Sequence, residues 1–235
     1  MSVVVRRARA EDLPARAALV RQGLNGYQRD AFFLFFFQEL TLQLLVLAGA
    51  VLFIFCGLDA WRLLLLAPAA AAVLAVAVAL AHHSLGDTHA QRVSREVLGV
   101  VAEYRGPLRA AAAAPGVSRM LAYTRPDQHA MVVGTASACC VRGARGPDGW
   151  LHALAVHPDW RRRGIGGALL EAIAAEWASG AEGGGGEGGQ LHCVISELQE
   201  PARSLLHKHG WGVRGWYHRR LCGAALTLSL AHLAR

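Results

Sequence analysis

The sequence predicts an α/β domain interrupted by a helical hairpin long enough to cross a membrane. Three observations carry this reading. Two apolar runs of 19 residues each occupy 40–58 and 63–81, short β-prone runs alternate with stretches of helical spacing, and one basic, glycine-containing turn joins a strand to a helix. The chain has 235 residues, which suits a single domain over 1–235 with an insertion. With 54% hydrophobic and only 17% charged residues, a disordered tail or a collagen-like rod is excluded.

Taken in order, Val3-Val4-Val5 makes a short strand. Glu11 to Leu24 follows as a helix, with Leu13, Ala17, Val20 and Leu24 at helical spacing and Pro14 in the first turn. At about 1.5 Å per residue each apolar run spans roughly 28 Å, close to the hydrocarbon thickness of a bilayer. Phe32 to Phe37 would extend the first span into the interface. Asp59-Ala60-Trp61-Arg62 separates the runs, and Trp61 suits the headgroup zone. About 30 mostly polar residues precede the hairpin, which does not fit a signal peptide. A helix pair buried in a soluble core is the alternative.

Arginines flank the hairpin on both sides (Arg6, Arg7, Arg9, Arg16, Arg21 and Arg29 before it, Arg92 and Arg95 after it). The positive-inside rule then places both termini and the globular part in the cytosol. Cys56, Cys139, Cys140, Cys193 and Cys222 are odd in number and lack a C-x-x-C spacing, which reads as reduced, mostly structural thiols, and His207 and His209 lack nearby cysteine partners, so no zinc site is expected. The net charge is +7, and 23 of the 24 basic residues are arginine. That balance suits an anionic partner: a phosphorylated cofactor, an acidic lipid surface or nucleic acid. Without a helix-turn-helix, zinc finger or aromatic stacking platform, nucleic acid is not expected.

After the hairpin, Thr88 to Tyr104 reads as helix from Val93, Val97, Val100 and Val101. Gly106 to Gly116 reads as a loop. Ser118–Tyr123 and Met131–Cys140 read as strands joined by a turn at Arg125-Pro126-Asp127. Gly143 to Gly149 is a turn before a strand at Trp150–Val156. A helix over Gly164–Ala178 and a strand over Leu191–Ile195 flank a flexible glycine-rich loop at 180–190. Glu200–His209 reads as helix, Gly212–Tyr217 and Ala224–Leu230 as late strands.

The chemistry centres on Val156-His157-Pro158-Asp159-Trp160-Arg161-Arg162-Arg163-Gly164-Ile165-Gly166-Gly167. A strand ends, a basic turn follows, and a helix opens near Gly164. The first N–H groups of a helix lack intrahelical acceptors, and with the helix dipole they form an anion site. Missing side chains at Gly164, Gly166 and Gly167 would let phosphate approach closely, and Arg161, Arg162 and Arg163 would add charge-assisted hydrogen bonds. The site looks built for a pyrophosphate. It lacks the Gly-Lys-Ser/Thr of the nucleoside-triphosphate loop and the spacing of the dinucleotide fingerprint.

Arg161-x-x-Gly164-x-Gly166 after Val-His-Pro resembles the acetyl-CoA signature of the GCN5-related N-acetyltransferases (GNAT). Ala202-x-x-Leu205-Leu206-x-x-x-Gly210-Trp211 is similar to that superfamily's late helix and following strand. Gly134 and the opening Val5-Arg-Arg-Ala-x-x-Glu-Asp12 match habitual positions. The hairpin after the first helix, with Gly223-Ala-Ala-Leu-Thr-Leu-Ser-Leu230, resembles the camello-like, membrane-anchored subfamily.

The resemblance implies a mixed, mostly antiparallel twisted sheet flanked by helices, with acetyl-CoA as cosubstrate and no metal. It implies an amine acceptor, either a small amino-acid substrate or a protein, at the endoplasmic reticulum membrane. Leu154, Ala155 and Val156 would offer backbone groups to the pantetheine and thioester, and Ile165, Gly166 and Gly167 would cradle phosphate. Glu197 and His152 are the candidate general bases. Leu206 stands where many members place a tyrosine that protonates the departing thiolate. That departure keeps a catalytically silent acetyl-CoA-binding or interaction protein as the alternative.

Overall fold

The computed structural model describes residues 2–105, 130–142, 147–179, 190–221 and 226–235. The expected strand at Ser118–Tyr123, its neighbouring loop and turn, the glycine-rich stretch 180–189 and the start of the last strand at 224–225 lie outside the described residues.

Seven strands form one sheet among the described residues, in the order β1-β2-β3-β4-β5-β7-β6. They are β1 (Ser2–Arg7), β2 (Leu98–Arg105), β3 (Ala130–Arg142), β4 (Pro147–Val156), β5 (Leu191–Ser196), β6 (Gly212–Leu221) and β7 (Leu226–Ala234). Every neighbouring pair is antiparallel except β4 and β5. β1 precedes the apolar helices and β2 follows them, yet they pair from Ser2↔Arg105 to Arg7↔Val100, so the sheet closes over the insertion.

The helices are α1 (Leu13–Asn25), α2 (Gln28–Phe36), α3 (Glu39–Cys56), the single turn α4 (Ala60–Leu63), α5 (Leu66–Val93), α6 (Ile165–Ala178) and α7 (Glu200–Lys208). The opening motif has a structural task. Arg6 donates to both oxygens of Asp12 at 2.8 and 2.9 Å, and the Arg9 N–H donates to Asp12 at 2.8 Å, which locks β1 onto α1. Burial alone would raise the Asp12 pKa, but these donors outweigh it and hold the carboxyl below its ordinary value.

Helices lie on both faces of the sheet. On β3, Thr135 and Ser137 face Arg16 of α1, while a Cβ at Gly134 would lie 3.0 Å from Leu169 and 3.2 Å from Ile165 of α6. Strand alternation therefore puts α1 on one face and α6 on the other. Leu169, Leu170, Ile173 and Trp177 of α6 are buried in the core.

The insertion departs from expectation at both ends. α3 stops at Gly57, whose φ of +60° terminates a helix readily because glycine carries no Cβ. Phe32 to Phe37 do not continue it; they belong mostly to α2, which ends before Gln38 opens α3 in an extended conformation. α5 runs twelve residues beyond the expected end at Ala81. The helix expected over Thr88–Tyr104 is in fact the end of α5, then a turn and β2. Leu98 to Tyr104 is nearly all buried, the signature of a central strand covered on both faces, and its valines satisfy that pattern as well as a helical one. Pro147 to Gly149, expected in a turn, open β4.

α3 and α5 are long and apolar enough to cross a membrane. Phe55 is 81% exposed and Val73 72% exposed, so these helices are not a pair buried in the domain's core. The polar end of α5 packs on α1: Arg21 donates to Asp87 at 2.7 Å, and Gly86 lies against Arg21.

Candidate active site

β4 and β5 pair only through Gly149↔Leu191, Trp150↔His192 and Leu151↔Cys193. Beyond Leu151 they part, and β5 continues on β7 alone while β4 continues on β3 alone. The freed edge of β4 covers 152–156. The register against β3 slips at the same place, with Ser137 opposite His152 and Thr135 opposite Ala155. Ala136 therefore faces two residues, a β-bulge, and Ala153 takes a φ of +53°, rare for a residue with a Cβ.

Strand alternation turns the backbone groups of Leu154 and Val156 to the open side. His157 instead donates its N–H to Val133 of β3 at 2.9 Å. Ala155, next in alternation, is turned toward β3, so the three expected backbone residues do not share one role. The Val156 carbonyl accepts a hydrogen bond from Arg161 Nε at 3.1 Å.

The loop after β4 carries three consecutive arginines into the start of α6. Pro158–Trp160 makes one turn of 3₁₀ helix, and Trp160 packs on Tyr104 with ring centroids 4.6 Å apart. Arg162 has φ +64° and Gly164 φ +81°, two left-handed residues two positions apart that turn the chain sharply into α6. Arg161, Arg162 and Arg163 are exposed, and Arg163 lies over the Trp160 ring at 4.8 Å. The first helical bond of α6 runs from Ala168 to the Gly164 carbonyl at 3.1 Å, so the N–H groups of Ile165, Gly166 and Gly167 lack intrahelical acceptors.

The glycines divide differently from expectation. A Cβ at Gly164 would meet nothing within 4 Å, which leaves space for a ligand. At Gly166 it would lie 2.9 Å from Leu205, and at Gly167 2.7 Å from His209 Nε2. Their missing side chains make room for Leu205 of α7 and for His209 just after it. Ile165 is buried against Gly134 and offers only its backbone.

His152 and Glu197 are not brought together by any contact among the described residues. His152, half-buried, presents Nδ1 to the Trp150 carbonyl at 3.3 Å, and Nε2 is buried with no hydrogen-bond partner among the described residues. Burial holds its pKa below the ordinary value, so the imidazole is neutral at pH 7. Glu197 begins a 3₁₀ turn after β5 and accepts the Ser229 N–H at 3.1 Å, which commits one carboxylate oxygen to β7. Leu206 is fully buried in the core and exposes nothing to a thiolate. Burial pushes the Cys193 thiol up to about 12 and raises Cys139 as well, so neither is poised as a nucleophile. Among the described residues no group of metal-binding side chains occurs.

Two clusters escaped the sequence reading. Arg16, 1% exposed, is held by both oxygens of Glu96 and donates to Thr135 and Ser137. Its position between Leu13 and Val20, on the apolar stripe of α1, is the signal that marks it. The second cluster is a chain across three strands at the closed end of the split. His232 Nε2 lies 3.0 Å from His192 Nδ1, His192 Nε2 lies 3.7 Å from Asp148, and Trp150 stacks on His232. Forty residues separate the two histidines, and only strand pairing reveals them.

Residues 121–213, about two fifths of the chain, match the acetyltransferase (GNAT) domain family. No curated protein matches the chain. Among solved structures, an N-acetyltransferase from Staphylococcus aureus Mu50 is 14% identical, with 100% of this chain and 98% of that one covered and a TM-score of 0.49. Arabidopsis thaliana NAA60 in complex with acetyl-CoA is 16% identical, with 60% and 76% covered and a TM-score of 0.42. A GNAT-family acetyltransferase from Streptococcus pneumoniae is 16% identical, with 66% and 73% covered and a TM-score of 0.38. The match to the GNAT acetyltransferase domain thus covers the segment that holds β3, β4, the basic loop, α6, β5 and α7.

Proposed function

We propose that the chain is a membrane-anchored, camello-like N-acetyltransferase. It transfers acetyl to a primary amine of a small amino-acid-type substrate or a protein, with its catalytic domain facing the cytosol from the endoplasmic reticulum membrane. One observation carries the site: β4 leaves β5 after Leu151, and the freed edge runs into the loop of three arginines that opens α6. The pyrophosphate of acetyl-CoA fits the loop at Arg162–Gly164 and the N–H groups of Ile165, Gly166 and Gly167. The pantetheine then lies along the freed edge of β4, where the Leu154 N–H is placed to polarise the thioester carbonyl.

The amine attacks the thioester carbon, the carbon–sulfur bond breaks, and CoA leaves as thiolate. The attacking nitrogen gives its proton to a base. His152 suits that role because its Nδ1 side is engaged by the Trp150 carbonyl while Nε2 is left as a lone-pair acceptor. Glu197 is the second candidate, with one oxygen already engaged. A CoA thiolate needs no acid to leave near neutral pH, since a free thiol ionises at about 8.5, and this accommodates Leu206.

The exposed apolar faces of α3 and α5 support the anchor, and the arginines on either side of them support the cytosolic orientation. The test has two arms. Detergent-purified protein is heated with and without acetyl-CoA, and saturation at 100 times the dissociation constant should add about 2.7 kcal/mol of stability. Microsomes carrying the full chain are extracted with alkaline carbonate, and retention in the pellet is expected. No thermal shift overturns the cosubstrate site, and release by carbonate overturns the anchor.

A further inference from the structure

A nearly buried ion pair ties α1 to the segment between α5 and β2. Arg16 donates through Nε to Thr135 Oγ1 at 2.9 Å and through Nη2 to Ser137 Oγ at 2.9 Å, while both oxygens of Glu96 take its remaining fork. Arg16 is 1% exposed and the two hydroxyl residues are fully buried. The fold has made room for the pair: a Cβ at Gly99 would collide with the Glu96 carboxylate and lie 2.6 Å from Arg16. Buried pairs of this kind seldom add stability over an apolar replacement, because desolvation consumes the Coulomb gain.

What the pair does hold is specific. Thr135 and Ser137 are the two β3 residues that bracket the bulge, opposite Ala155 and His152. Between those partners stands Ala153 at φ +53°, a strained conformation for a residue with a Cβ, which persists only where its surroundings enforce it. α1 presses on the same place from above, since a Cβ at Gly23 would lie 3.4 Å from the Ala155 methyl. Glu96 arrives three residues after α5 ends at Val93, so the clamp also joins the apolar rod to this strand.

We propose that Arg16, gripped by Glu96, is a positioning residue for acetyl transfer: it pins β3 on both sides of the bulge and thereby sets the freed edge of β4 against the thioester. The proposal rests on the reading of that edge as the thioester site. It separates Arg16 from an ordinary core residue, because the clamp serves the acetyl end of the ligand and not the phosphate end, which the loop after β4 holds independently.

The test compares acetyl-CoA with CoA on the full chain in detergent, by calorimetric titration. Arg16→Met combined with Glu96→Leu removes the clamp without leaving a buried charge, and Arg16→Lys keeps the charge but loses the planar fork. Both should lose about tenfold in acetyl-CoA affinity, roughly 1.4 kcal/mol, while CoA affinity stays within twofold. Adding Ala153→Gly, which adopts the positive φ without strain, should recover part of the loss. Equal weakening of both ligands, or no change in either, overturns the proposal and leaves the site reading intact. A wild-type chain that binds neither ligand overturns the site reading itself, and the proposal with it. Should the double variant fail to fold, Arg16→Lys alone decides by the same ratio.

Discussion

Arg161 Nε donates to the carbonyl oxygen of Val156 at 3.1 Å, so the first arginine of the basic loop folds back on the end of the freed strand. Among the described residues Arg162 and Arg163 have no such tie to β4; both are exposed, and Arg163 lies over the Trp160 ring. Substitution should separate the two roles. Arg162→Gln and Arg163→Gln should weaken acetyl-CoA binding mainly at low salt, since they remove screened attraction to phosphate. Arg161→Lys should weaken it about tenfold at low and high salt alike, because the lost contact is internal to the loop and lysine lacks the fork. Titrations at two ionic strengths check both; a salt-independent loss at Arg162 would reverse the assignment.

The three glycines should also part company. Gly164→Glu places a carboxylate in the open space before α6 and should abolish acetyl-CoA binding, with a stability cost of about 1 kcal/mol from its positive φ. Gly167→Ala drives a methyl into the His209 ring and should cost about 1–3 kcal/mol. Adding His209→Ala should return part of that loss. Gly166→Ala crowds one terminal methyl of Leu205 and only touches Val156, and should cost less. Thermal melts with and without acetyl-CoA measure all four; a Gly167→Ala protein of wild-type stability would show that α7 yields.

Much of this layout was legible beforehand, because each signal was local. The strand ending at Val156, the turn through Arg161 and Gly164 and the helix through Trp177 all lie within one continuous stretch. The errors arose where a local pattern fits two structures. Val97, Val100 and Val101 sit at helical spacing, yet they also satisfy a strand buried on both faces, and the outcome was decided by β1 and β3 on either side. The roles of Gly166 and Gly167 depend on α7, about 40 residues later in the chain. Arg16 finds Glu96 only after the chain has left and re-entered the domain through α3 and α5.

Stability should fall in two stages on acidification. Burial lowers the pKa of His152, His157 and His232 in the folded chain. The unfolded chain therefore binds more protons below about 6.5, and the folded state loses stability as pH falls from there. Asp12 and Glu103 are held below their ordinary values by Arg6 and its neighbours, against burial. Their contribution is present at neutral pH and is lost only below about 4. Melting temperature followed from pH 8 to 3 should show both steps, and His157→Phe should shrink the first. A flat profile between pH 7.5 and 5 would contradict the burial of these imidazoles.

The two candidate bases predict different pH–rate profiles. His152 carries its proton on Nδ1, where the Trp150 carbonyl accepts it, and leaves Nε2 free. If Nε2 takes the amine proton, activity depends on a neutral imidazole whose pKa lies below its ordinary value. The acid limb of kcat/KM should then fall below about 6.5. His152→Gln, which cannot accept a proton at that pH, should lower kcat about 10²-fold and remove the limb. Glu197→Gln keeps an oxygen for the Ser229 N–H, so the β7 contact survives and kcat should drop less than tenfold. CoA release from acetyl-CoA, followed with a panel of free amino acids and lysine-containing peptides, supplies the rates. A large loss at Glu197→Gln with the limb unmoved at His152→Gln would transfer the role to the carboxylate, and the site would then work from the β5 side of the split rather than from β4.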